Sequence, residues 1–95
     1  MNTVEKIIKN EPVADVVSLF ALFWPAMRID RMYGRYRSEV IQEGILVDTY
    51  NSLFNDGVLS SDKSGKTVKG PNWKTPTFMA EKRYEYLLKS HLTFT

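Results

Sequence analysis

The sequence predicts a mainly helical α+β fold, and three observations lead to it. Apolar residues recur every three or four positions between Thr3 and Phe54, the period of amphipathic helices. Asn55-Asp56-Gly57 then reads as a helix stop with glycine at the left-handed position. After it, Ser64-Gly65 within a polar, lysine-rich run has the composition of a hairpin turn. At 95 residues the chain suits one domain with a modest core. The expected parts are a helical part at 1–57, a β-hairpin at 58–79 and a C-terminal helix at 80–90.

Taken in order, Val4, Ile7 and Ile8 place a short helix at Thr3 to Lys9, too short to be stable in isolation. Asn10-Glu11-Pro12 restarts the chain, with proline suited to a first helical turn. From Val13 to Trp24 the apolar residues run nearly all round, so this helix is buried on most of its circumference or offers a face to a partner. Ala26 to Glu43 repeats Ile29, Met32, Tyr33, Tyr36, Val40 and Ile41 at helical spacing. Gly34 costs about 1 kcal/mol relative to alanine there, or marks a break. On a continuous helix Arg28, Arg31 and Arg35 form one cationic stripe. Gly44 separates this segment from Ile45 to Asn55. Val58-Leu59 begins a strand, Gly70-Pro71-Asn72-Trp73 is a turn, and Thr75-Pro76-Thr77 is an edge strand or extended connection. Ala80 to Ser90 forms the last helix with Tyr84, Leu87 and Leu88 inward, and the alternating His91 to Thr95 allows a final short strand.

The order of helix, glycine stop, hairpin and helix over residues 45–88 resembles the last third of a winged-helix domain. In that family a helix ends in leucine, a few polar residues, glycine and two apolar residues, as Leu53 to Leu59 does here. The segment after the wing begins with threonine and ends in a tyrosine-leucine pair, as Thr77 to Leu87 does, although Lys82-Arg83 stands where a glycine is usual. The resemblance implies a winged-helix-like architecture of three or more helices and a small β-hairpin. It puts Ile45 to Asn55 in the recognition position, paired across Gly44 with the helix before it.

Composition narrows the chemistry. With no cysteine, disulfides, thiolate metal sites and a cysteine nucleophile are excluded. No basic segment leads into an apolar run at the N-terminus, and the longest apolar run, Val16 to Ala26, is about half the length needed to span a bilayer, so a cytoplasmic protein with no membrane contact is expected. The lone His91 has no second histidine or cysteine with which to share a metal. Gly65-Lys66-Thr67 lacks the earlier glycine and the preceding strand of a phosphate-binding loop. Neither Ser60-Ser61 nor Ser64 has an identifiable base. No catalytic residue, cofactor or metal is assigned, and the chain is not expected to be an enzyme.

Binding functions are left. The net charge is +2, but between Val58 and Lys74 four lysines face the single acid Asp62, making the hairpin the basic pole. Nucleic acid would meet Lys63, Lys66, Lys69 and Lys74 beside Trp73, with Asn51 able to read an adenine. The same lysines also serve simply as a solvated edge that discourages aggregation. Against DNA, Val47 to Asp56 holds two aspartates and no cation, and the overall charge is small for a dedicated nucleic-acid binder. Protein binding fits with fewer conflicts. Aromatic residues make up 13% of the chain, and Tyr, Trp and Arg are the usual anchors of interfaces. Phe20, Phe23, Phe54 and Tyr84 are expected in the core, while Arg35, Arg37 and Trp73 are expected to be exposed. Arg35, Tyr36, Arg37 and Trp73 are therefore the candidate partner-binding residues. A cysteine-free, non-enzymatic domain of this size suits an inhibitor or immunity-type protein that neutralises a toxin by direct binding. The alternative is a small winged-helix DNA-binding transcriptional regulator.

Overall fold

The computed structural model describes residues 3–84 and has a mainly helical α+β fold. Its elements are α1 (Thr3–Asn10), α2 (Val13–Phe20), α3 (Ala26–Tyr36), α4 (Glu39–Gln42), α5 (Ile45–Asn55), β1 (Leu59–Ser61), β2 (Thr67–Lys69) and α6 (Thr77–Ala80). The strands form a two-stranded antiparallel sheet in which Leu59 faces Lys69 and Ser61 faces Thr67. The helices pack mainly as α2 on α5 and α1 on α3, around a core that includes Ile7, Ile8, Phe20, Tyr33, Leu59 and Phe78. Each helix and β1 contributes a buried side chain that it could not bury alone, which is how helices as short as α1 become stable.

Three helix ends differ from those the periodicity predicts, each for a local reason. α2 stops at Phe20 rather than at Trp24. Its last turn tightens, with the Phe23 and Trp24 amides both donating to the Phe20 carbonyl, because Trp24 precedes a proline and that position disfavours helix. Trp24 then folds back to stack on Phe20, with ring centroids 4.5 Å apart and the planes 8° from parallel.

The segment from Ala26 to Glu43 is two helices, and the break falls at Arg37 rather than at Gly34. Gly34 stays helical, with the Ile41 side chain of α4 lying 3.6 Å from where a Cβ would be. Arg37 leaves the helical region (φ −152°, ψ 64°), and its guanidinium turns back onto α1.

The last helix does not begin at Ala80. Within the described residues the chain makes the single turn α6, entered from an extended Pro76, and no strand forms at Thr75 to Thr77. Lys82 takes a left-handed φ of 57°, while the Arg83 amide donates to the Phe78 carbonyl and the Lys82 amide to the Met79 carbonyl. That pair of bonds is a Schellman stop. α5 ends the same way at Gly57, where the Val58 amide donates to the Leu53 carbonyl and the Gly57 amide to that of Phe54. Lys82, one of the two residues standing where the resemblance leads to the expectation of glycine, is thus a left-handed residue. Leu87, Leu88 and the strand expected at His91 to Thr95 lie outside the described residues.

Two glycines carry the geometry of the hairpin and of the α4–α5 corner. Gly44 has a φ of 73° with open space around it. Gly70 donates its amide to the Val58 carbonyl, and a Cβ there would collide with the Gly57 carbonyl oxygen. Gly44→Ala should therefore cost about 1–2 kcal/mol, the left-handed penalty alone. Gly70→Ala should cost more, because backbone must move. Chemical denaturation of the two variants checks the order, and a neutral Gly70→Ala would contradict the close seating of the hairpin on residue 57.

Candidate partner-binding surface

The four residues expected to anchor a partner separate into two kinds. Arg35 is exposed, with its guanidinium 5.5 Å from the ring centroid of the half-buried Tyr36. Arg37 and Trp73 are not the free side chains expected. Arg37 is half-buried and its Nη1 donates to the carbonyls of Ile8 and Glu11, both at 3.2 Å. Trp73 is half-buried against the core, and its Nε1 donates to the Ser18 carbonyl at 2.8 Å. Both side chains satisfy carbonyls at helix C-terminal ends that have no partner within their own helix. The positive charge of Arg37 is also favoured at the negative end of α1. The signal in the sequence was the residue type, and long-range folding turned it to a structural use.

The lysines Lys63, Lys66, Lys69 and Lys74 are exposed along the hairpin and the turn after it, as is Asn51 on α5. The Lys69 ammonium lies 4.2 Å from the Trp73 ring centroid, so one of the four is already engaged. At the hairpin tip the Asp62 carboxylate accepts from the Ser64 hydroxyl and from the Ser64 and Lys66 amides, which holds its pKa below the ordinary carboxylate value.

Sequence periodicity missed several apolar side chains exposed on the surface. Phe23 and Phe54, expected in the core, are 44% and 37% exposed, and Met27 and Val47 are 69% and 62% exposed. Phe23 is exposed because α2 ends early and its side chain falls beyond the helix. Phe54 shares an outward face of α5 with Val47 and Asn51, since residues three, four and seven apart line one side of a helix. Tyr50 sits between them, half-buried, and lines a cleft of about 390 Å³ together with Leu22, Phe23, Trp24 and the hairpin residues Lys66 and Thr67.

The opposite flank of α5 borders a second depression. One part, about 560 Å³, lies between α2 and the turn at 71–74. The other, about 330 Å³, runs along α5 past Ile45 and Thr49. The two share Ala14 and Leu53 as floor, so they form one groove. Asp15, Asp48 and Asp56 line it, and among the described residues none of the three is in an ion pair.

Two buried polar groupings complete the electrostatics. Glu11 is only 2% exposed, and its carboxylate accepts from Arg83 Nη1 at 2.8 Å and from the Tyr84 hydroxyl at 3.0 Å. This clamp ties the end of the described chain to the α1–α2 junction. The hydroxyls of Tyr33 and Tyr50 are buried without a hydrogen-bond partner among the described residues. Burial raises the pKa of Tyr33, opposed by Arg37 and reinforced by Tyr50. Burial and the Asp30 carboxylate push Tyr50 up to about 12.

Among the described residues no cluster of three or more histidine, cysteine or acidic side chains could hold a metal ion, and no helix is long and apolar enough to cross a membrane. Comparison of the chain with protein-family models, with curated proteins and with solved structures gives no match.

Two outcomes follow from these contacts. Trp73→Phe keeps an aromatic ring but deletes the donor and the five-membered half of the indole, leaving the Ser18 carbonyl unpaired, and should cost at least about 1–2 kcal/mol in urea denaturation. An unchanged midpoint would mean that the indole nitrogen does not cap α2. The tyrosines give a pH dependence. Their pKa values are raised in the fold, so the stabilisation is full below about pH 10, where unfolded tyrosines are still neutral. It is lost as pH rises towards 12, because the unfolded chain releases these protons first. Stability measured at pH 9 and pH 11 should fall, and the fall should shrink in Tyr50→Phe.

Proposed function

We propose that this chain is a non-enzymatic protein-binding module built on a winged-helix-like scaffold, with α5 as its contact element. What carries the reading is the outward face of α5, where Val47 and Phe54 stand exposed around Asn51 with no cation on the helix. Scattered single apolar residues are ordinary on a surface. Here they adjoin a cleft lined by Phe23, Trp24 and Tyr50, and aromatic, concave and partly desolvated surfaces are where interface energy concentrates. The role that suits such a module is that of a cytoplasmic inhibitor or immunity-type protein, neutralising a toxin by covering its working surface. Arg35 and Tyr36 are side chains on α3 available to such a partner, whereas Arg37 and Trp73 contribute by holding the scaffold.

A second reading, a small DNA-binding regulator, is favoured by one observation, the exposed lysines of the hairpin. Duplex would place the recognition-position helix against phosphates, and there Asp48 and Asp56 repel it.

A titration against random-sequence duplex DNA at two salt concentrations separates the two. The protein-binding reading expects no binding at low salt, together with a protein retained from the native host by the wild-type chain and lost by the Val47→Glu, Phe54→Glu double variant. Micromolar DNA binding that collapses at high salt, and weakens when Lys63, Lys66 and Lys69 are removed, would replace this reading with the regulator.

A further inference from the structure

The groove between α2 and α5 differs from the hairpin in charge. The hairpin is cationic, yet the groove lining holds Asp15, Asp48 and Asp56 against the single cation Lys74. Asp15 and Asp48 lie in the first turns of their helices, where a carboxylate stabilises the helix whatever else it does. Asp56 has no such explanation. It stands at the C-terminal end of α5, where an acid opposes the helix dipole, and no cation pairs with it among the described residues. Below these carboxylates the floor is apolar, formed by Ala14, Leu53 and Val58, with Ile45 at one end and the Trp73 ring at the other. Ala14 is a small exposed residue in the middle, so a bulky element can approach α2 closely.

We infer that this groove receives a cationic amphipathic helix of the protein partner, its apolar side chains against Ala14, Leu53 and Val58 and its lysines or arginines facing Asp15, Asp48 and Asp56. The inference rests on the protein-binding reading and specifies the partner's chemistry. An apolar floor between charged rims is the complement of a helix with one apolar face, and α5, with 11 residues, offers a wall about 16 Å long, or three turns of a partner helix. Charge complementarity chooses the sign of that helix and excludes nucleic acid from the groove.

The test follows amide resonances of the full chain by NMR during titration with three probes: an amphipathic helical peptide of leucine and lysine about 12 residues long, the same pattern with glutamate for lysine, and a short duplex DNA. The expected result is saturable movement confined to Ala14, Ser18, Ile45 to Thr49, Leu53 to Asp56 and Trp73 with the lysine peptide alone. Asp15→Asn, Asp48→Asn and Asp56→Asn together should weaken that binding about tenfold, the loss of three exposed charge pairs. Ala14→Gln, a good helix former that fills the floor without changing charge, should weaken it as well, and unchanged circular dichroism in both variants establishes that they fold.

Movement spread equally over Glu39, Glu43 and Glu81, equal binding of the glutamate peptide, or DNA acting on the groove amides would each overturn the assignment. If neither groove variant affects a host protein that depends on Val47 and Phe54, the groove assignment falls while the protein-binding reading stands. If the chain retains no protein and binds DNA, both fall.

Discussion

Ile8, Glu11 and Ser18 present carbonyls at the C-terminal ends of α1 and α2 that no amide of their own helices reaches, and the chain closes on them from far away in sequence. Arg37 covers the first two and Trp73 covers the third. An unpaired buried carbonyl costs about 1–3 kcal/mol, a large part of the stability of a domain this small. α1 and α2, with eight residues each, are too short to hold themselves, so their ends and their packing determine whether they form at all. The break after Tyr36 and the seating of the hairpin on α2 are the geometric consequences. α3 must stop where Arg37 can turn back, and the turn at 71–74 must bring an indole to Ser18.

This use of side chains shapes what is left for a partner. Arginine and tryptophan are the residues most often found at the centre of interfaces, yet here two of them are committed to the scaffold. The exposed apolar surface has moved instead to α5, to the turn before α3 and to the first turn of α3, where Val47, Phe54, Phe23 and Met27 lack cover. α5 stands between two recesses of different character, an aromatic cleft towards the hairpin and a carboxylate-lined groove towards α2. Lys66 lines the cleft, whereas Asp15, Asp48 and Asp56 line the groove with Lys74 as its one cation, so the two recesses differ in charge even though the net charge is small.

Glu11 adds a second constraint. A carboxylate 2% exposed needs strong donors, and Arg83 and Tyr84 supply them from the far end of the described chain. The Schellman stop after α6 is what turns those two residues towards it, with Lys82 taking the left-handed conformation that a glycine would adopt more cheaply. The α1–α2 junction and the end of the described residues are thereby joined at a single side chain.

Much of the fold was legible from sequence because local rules decide it. Periodicity located α1, α3 and α5, the left-handed glycines marked the corners at residues 44 and 57, and Ser64-Gly65 marked the hairpin. Helix ends were less legible wherever a distant group decided them, as at Arg37, or where a proline and an aromatic stack shortened a strongly apolar helix, as at Trp24 and Phe20. The candidate site was the least legible part. Residue type marks Arg37 and Trp73 as anchors and Phe23 and Phe54 as core, and the fold reverses both assignments. By itself, the sequence determined the helical α+β class, the basic hairpin and the absence of thiol chemistry, since these depend on composition and on neighbours three or four residues apart. Only the tertiary structure decided which aromatic and charged side chains face solvent, because that depends on which helix end a side chain 29 or 55 positions away must satisfy.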